Sequence, residues 1–159
     1  MDSTEALGLL GFFGACFAVA TSGAVFRPGD WYKSLAKPPW NPPDWLFAPA
    51  WTVLYATIAI AGWMVWRRAG ITGAAVPLAL YGVQLLLNAG WSAVFFGLRR
   101  PDWAFAEVLL LWLSILGTIL AFHPIHAGAA WLLLPYMGWV GFAAALNLAV
   151  WRRNRVRRG

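Results

Sequence analysis

Five apolar stretches, near residues 5–26, 42–66, 76–97, 102–122 and 127–151, dominate the chain. Each is long enough to cross a bilayer as a helix, which takes about 20 residues. Lipid offers no partner to a free backbone N–H or C=O, so spans of this length must be helices. A β-barrel would alternate in short segments, and these runs do not. The expected fold is therefore an all-α membrane protein, a bundle of five transmembrane helices forming one domain over residues 1–159. Composition agrees. Only 11% of residues are charged, against about 25% for soluble domains. The mean hydropathy is +0.64.

Five spans put the termini on opposite sides, and the basic residues then choose the sides. One side holds Arg27, Lys33 and Lys37 of the first loop, Arg99 and Arg100, and the tail residues Arg152, Arg153, Arg155, Arg157 and Arg158. The other holds Arg67 and Arg68. By the positive-inside bias, the first loop and the C-terminus are cytoplasmic and the N-terminus lies outside. The basic tail follows an apolar run, so it reads as a topogenic anchor touching anionic lipid; no nucleic-acid partner is expected. Ala18-Val19-Ala20 resembles a signal-peptidase site, but Asp2 and Glu5 replace the basic opening of a signal peptide, so the first run reads as a retained span. The one cysteine, Cys16, reads as a small packing residue. Five spans do not divide into two equal inverted halves, which counts against the common secondary-transporter plans.

The long loop 27–41 carries prolines 38, 39, 42 and 43 at and just beyond its end. Proline stiffens a chain and restricts the residue before it. The spacing predicts Asn41 as an N-cap, Pro42 at the first helical position, and Trp40 and Trp45 as a hydrophobic staple. Two readings of the loop follow: an ordered lid held against the bundle, or aromatics that mark the lipid interface.

Within the spans, Tyr81, Gln84, Asn88, Trp91 and Phe95 fall on one helical face. Two amides among large rings suit a pocket for a planar ligand with polar edges; they equally suit hydrogen bonding between helices. Trp51 and Tyr55 follow Pro49, and Tyr136 and Trp139 follow Pro135, sharing a face with Ala143 and Asn147. Two proline-modified helices would widen the bundle near one level. Glu107 reads as a carboxylate near the headgroups. His123 and His126 lack the neighbouring thiols or carboxylates of a metal site, so no metal is expected. Small residues four apart, Gly11/Ala15, Ala75/Ala79 and Gly141/Ala145/Ala149, permit close helix packing or a homodimer. Hydrolysis has no nucleophile with a base beside it.

Trp31-Tyr32, Lys37-Pro38-Pro39-Trp40-Asn41-Pro42-Pro43, Trp51 with Leu54-Tyr55, Gln84 through Asn88 and Trp91, Phe95-Phe96-Gly97, and Pro135-Tyr136 through Trp139 to Leu146-Asn147 together resemble the tryptophan-rich sensory protein/translocator protein family (TspO/MBR, once called the peripheral benzodiazepine receptor). The resemblance covers nearly the whole chain. It implies a five-helix bundle, usually a homodimer, whose pocket is closed by the first loop. It also implies ligands: porphyrins such as protoporphyrin IX, sterols, and synthetic isoquinoline carboxamides or benzodiazepines, bound without a cofactor. By matching motif positions, the pocket is expected to be lined by Trp40, Asn41, Trp51, Tyr55 and Asn88. Trp91, Trp139, Ala143 and Leu146 complete the expected lining. Arg27, Trp31, Lys33 and Lys37 belong to the lid, where the basic residues are expected to meet propionates.

The resemblance leaves sensing, transport and receptor roles open, and adds an enzymatic alternative: light- and oxygen-dependent porphyrin breakdown with Trp51 and Trp139 as participants. A passive scaffold with partners on the cytoplasmic face is a third reading. Leu148 stands where vertebrate members carry the tyrosine of a sterol motif, which lowers the expectation of cholesterol binding and favours a bacterial cell membrane as the location.

Overall fold

The computed structural model describes residues 1–26 and 28–157. The expected loop cation Arg27 and tail cation Arg158 lie outside the described residues. Helices account for all of the regular structure among the described residues: α1 (Ser3–Val25), a short α2 (Asp30–Ser34), α3 (Asp44–Gly73), α4 (Ala75–Ser92), α5 (Pro101–Phe122), a short α6 (Ala127–Leu132) and α7 (Leu134–Arg157). Five segments are long and apolar enough to cross a membrane, α6 and α7 together forming the last. The chain is an integral membrane protein built as a five-helix bundle.

The ends of the spans show where local chemistry overrides hydropathy. α1 opens on a capping box: Asp2 accepts from the Glu5 N–H at 2.8 Å, and Glu5 accepts from the Asp2 N–H at 3.1 Å. α3 starts at Asp44, two residues later than expected, with Pro43 at the N-cap position and no side-chain cap. Asn41 is not the cap and Pro42 is not helical. Pro42 precedes Pro43, which disfavours the helical region for it, so the helix starts later and Asn41 lies too early to cap it; the Asn41 N–H instead closes a turn onto the Pro38 carbonyl at 3.0 Å. The expected staple is also absent: Trp45 is exposed, and Trp40 packs edge-on against Phe142 of α7 at 5.7 Å. At its other end α3 outruns the apolar window, passing Arg67 and Arg68 until Gly70 breaks it with φ 70°, a conformation glycine adopts without cost.

The last span is interrupted. Leu133 caps α6, and Pro135 falls in the first turn of α7, where a missing N–H costs nothing. Pro49, by contrast, lies inside α3. Both prolines border the same shallow hollow of about 540 Å³ between α3 and α7. α4 ends in a π-turn, Ala93–Gly97, with the Leu98 N–H bonded to the Ala93 carbonyl at 2.8 Å. Arg99 then turns the chain at φ 54°.

Packing is uneven along the membrane normal. At the end away from the first loop, α1 lies tightly on α3. The Gly8 backbone meets the Trp66 ring, Trp63 Nε1 donates to the Glu5 carbonyl at 2.9 Å, and Gly62 admits Phe12 and Tyr81. Toward the loop, α1 is bonded to α4 through Ser22 Oγ donating to the Ala89 carbonyl at 2.6 Å. Gly141 sits against Trp112, an internal contact, whereas Gly11 faces open space on the outside of α1.

Candidate functional site

A cavity of about 590 Å³ fills the loop-side half of the bundle, within the range of small-molecule pockets. Its walls come from α1, α3, α4, α5 and α7, and α2 covers part of its loop end. Trp51 and Tyr55 project from α3, one turn apart, with ring centroids 5.4 Å apart. Trp139 of α7 meets Trp51 at 6.4 Å and 89°. The two indoles therefore make a corner: one face and one edge, the preferred geometry of an aromatic pair. Trp139 Nε1 is buried and has no acceptor, although a buried indole N–H normally finds one.

The polar side of the cavity is a chain of hydrogen bonds. Tyr55 Oη donates to Asn88 Oδ1 at 3.0 Å, Asn88 Nδ2 donates to Tyr136 Oη at 2.8 Å, and Tyr136 Oη donates to Gln84 Oε1 at 2.8 Å. Gln84 and Tyr136 are fully buried behind the wall. The two amides thus do both things the sequence left open: Asn88 lines the cavity and also joins α4 to α3 and α7. Trp91 is held the same way. Its Nε1 donates to Asn147 Oδ1 at 3.0 Å, and Asn147 Nδ2 donates to the Pro101 carbonyl at 2.8 Å. Trp91 also stacks on Phe95 at 5.1 Å, so the π-turn sets the angle of this wall. A π-turn at a cavity wall is a recurrent functional feature.

Seven of the nine expected pocket residues therefore share one cavity: Trp51, Tyr55, Asn88, Trp91 and Trp139, with Ala143 and Leu146 completing the α7 wall. Trp40 and Asn41 are not part of its lining; Trp40 lies on Phe142, and Asn41 Oδ1 is buried without a partner beside the loop turn. The helical periodicity could not reach two residues that sit in a proline-rich loop. Phe47 of α3 and Val108 and Leu111 of α5 line the cavity as well. Sequence reasoning missed them because ordinary apolar residues in apolar spans carry no signal.

The first loop is an ordered cover. Tyr32 is buried, with its ring against Phe96 at 5.5 Å and Phe95 at 6.1 Å; burial, with the Asp44 charge second, raises its phenol above the ordinary range. Trp31 meets Phe95 edge-on at 5.8 Å. Lys37 is spent on the loop itself, with Nζ 4.4 Å from the Tyr32 ring centre and 3.5 Å from the Leu35 carbonyl. Lys33 is the one expected loop cation among the described residues that lines the cavity. A contact with no sequence warning fixes the loop to the far end of α7: Asn154 Oδ1 accepts from the Ala36 N–H and Asn154 Nδ2 donates to the Ala36 carbonyl, both at 3.0 Å.

Glu107 of α5 turns its carboxyl group inward, six residues after the helix begins at Pro101. Both carboxyl oxygens are buried without a hydrogen-bond partner, and Gly90 of α4 leaves room for them, since a Cβ there would stand 3.3 Å from Oε1. Among the described residues no cluster of three potential metal ligands occurs.

Five membrane-spanning helices around an indole-walled cavity, roofed by a pinned aromatic loop, define a helical-bundle membrane protein with an internal cavity. The chain matches the TspO/MBR family over residues 12–152 and belongs to it. It is 43% identical over 150 residues to the translocator protein of Bos taurus, covering 93% of this chain and 85% of the relative. It is 41% identical over 148 residues to the tryptophan-rich protein TspO of Chlorobaculum tepidum, covering 89% and 92%. To the tryptophan-rich sensory protein of Cereibacter sphaeroides it is 41% identical over 145 residues, covering 91% and 90%.

Proposed function

We propose that this protein binds a flat amphipathic ligand, protoporphyrin IX foremost, and serves as a membrane sensor or carrier for it. The observation that carries the reading is the Trp51–Trp139 corner. Two rings at 89° offer a stacking face and an edge, while Trp139 Nε1 offers a donor to a polar group of the guest. Lys33 at the loop end supplies charge to a propionate. By the distribution of basic residues the loop and tail face the cytoplasm.

The double substitution Trp51→Ala/Trp139→Ala tests it. Stacking and lost apolar area are worth a few kcal/mol, so the affinity for protoporphyrin IX, read by quenching of the remaining tryptophans, is expected to fall at least tenfold. Unchanged affinity removes the stacking model. A second reading, porphyrin breakdown under light with dissolved oxygen as the oxidant, draws on the same indole pair. Illumination with protoporphyrin IX decides it: a new absorbing product lost in Trp51→Phe supports chemistry, and bleaching equal to that in lipid alone leaves binding.

A further inference from the structure

The cavity has a rim, and the rim lies on one side. Among its lining residues those that are exposed are Gly23, Pro28, Lys33, Asp44, Ala48 and Thr52. Pro28, Lys33 and Asp44 sit at the level of the loop; Gly23, Ala48 and Thr52 are within the spans of α1 and α3. From Asp44 to Thr52 the opening descends along about 12 Å of helix. Exposed lining residues on both α1 (Gly23) and α3 (Ala48, Thr52) make it a slot between the loop-side halves of these helices. Its charged residues, Lys33 and Asp44, are at the loop end, and its exposed residues within the spans, Gly23, Ala48 and Thr52, are small.

The roof, in contrast, is fastened at three places: Trp31 and Tyr32 on Phe95 and Phe96, Ala36 on Asn154, and Trp40 on Phe142. Opening it would break two backbone hydrogen bonds and expose a buried tyrosine together. The slot needs no such cost. Gly23 borders open space: a Cβ there would meet nothing within 4 Å.

We propose that the ligand enters and leaves sideways, through the α1–α3 slot, from the leaflet next to the loop. The guest this admits is a planar amphipath dissolved in the bilayer, apolar body first, with an anionic edge trailing at Lys33. The proposal rests on the porphyrin reading for the identity of the guest, and on the slot alone for the route.

Gly23→Leu tests it. In proteoliposomes the variant is expected to slow association and dissociation of protoporphyrin IX together by about tenfold, while Kd stays within about threefold, because a gate raises one barrier for both directions. In the wild type, association should follow the porphyrin content of the bilayer rather than its aqueous concentration. Two other variants place the alternatives. Gly138→Leu fills the outer hollow between α3 and α7, and Asn154→Ala unfastens the roof; both should leave the rates near wild type. If either changes the rates tenfold while Gly23→Leu does not, the slot is not the route. Wild-type protein that fails to quench at any porphyrin level would defeat the porphyrin reading instead. The slot is then judged by a nitroxide on Thr52→Cys, labelled selectively because Cys16 is buried. Broadening by oxygen dissolved in lipid, and not by a water-soluble nickel complex, supports an opening to the bilayer; the reverse overturns it.

Discussion

The two halves of the bundle use the same residue types to opposite ends. Away from the loop, two glycines admit close neighbours: Gly8 takes the Trp66 ring and Gly62 takes Phe12 and Tyr81. There Tyr81 Oη donates to the Ile58 carbonyl at 2.8 Å, and its ring stacks on Phe122 at 5.9 Å. Toward the loop, Gly23 of the same α1 borders open space, and Trp51, Trp91 and Trp139 face a cavity. Without a hydrophobic force between helices in lipid, association depends on close fit and hydrogen bonds. The sealed half supplies the fit, which lets the other half remain hollow.

One substitution made in both halves should separate them most sharply. A Cβ on Gly62 would stand 2.6 Å from Tyr81 Cζ and 2.8 Å from Phe12 Cε1. Gly62→Leu must displace both rings, at a cost of about 3 kcal/mol or more. At Gly23 the Cβ itself meets nothing within 4 Å, so Gly23→Leu extends into open space without displacing packed side chains and gains the roughly 1 kcal/mol that replacing a helical glycine returns. Thermal unfolding in detergent should show Gly62→Leu strongly destabilised and Gly23→Leu at or above wild type. Equal destabilisation would mean that the loop half is as closely packed as the other.

A smaller loss is expected within the hollow half. Asn88→Leu removes an acceptor from Tyr55 and a donor from Tyr136, leaving buried hydroxyls short of partners at about 1–3 kcal/mol. It also removes a polar wall group, so porphyrin affinity and stability should fall together. A loss of affinity with stability intact would make Asn88 a ligand contact only.

What the sequence disclosed follows from this division. Spans were legible because bilayer thickness fixes a length that hydropathy can register, and the α4 face from Tyr81 to Phe95 was legible because 3.6 residues per turn aligns it. Boundaries failed where single residues overrule hydropathy: prolines 42 and 43 delay α3, and Gly70, not the end of the apolar run, breaks it. Asn41 shows the limit of a local rule, since Pro43 disfavours the helical region for Pro42 and moves the helix start beyond the reach of that cap. The slot was hidden for a different reason. Gly23 and Gly62 are identical letters, and only the path of α1 decides that one opens a cavity and the other closes a seam.

The smallest expected effect concerns the roof. Asn154 joins residues 118 apart, reading both the N–H and the carbonyl of Ala36, and also donates to the Val150 carbonyl at 2.7 Å. Each neutral hydrogen bond contributes about 0.5–1.5 kcal/mol, so Asn154→Ala should raise the open fraction of the loop roughly tenfold, with global stability little changed. Trypsin can read this at one place, because Arg27 and Lys37 both precede prolines and resist it, which leaves Lys33. Cleavage after Lys33 should accelerate by that factor in Asn154→Ala and stay at the wild-type rate in Gly23→Leu. If both variants accelerate it alike, roof and slot move as one element, and the contrast between a fastened cover and an open side is lost.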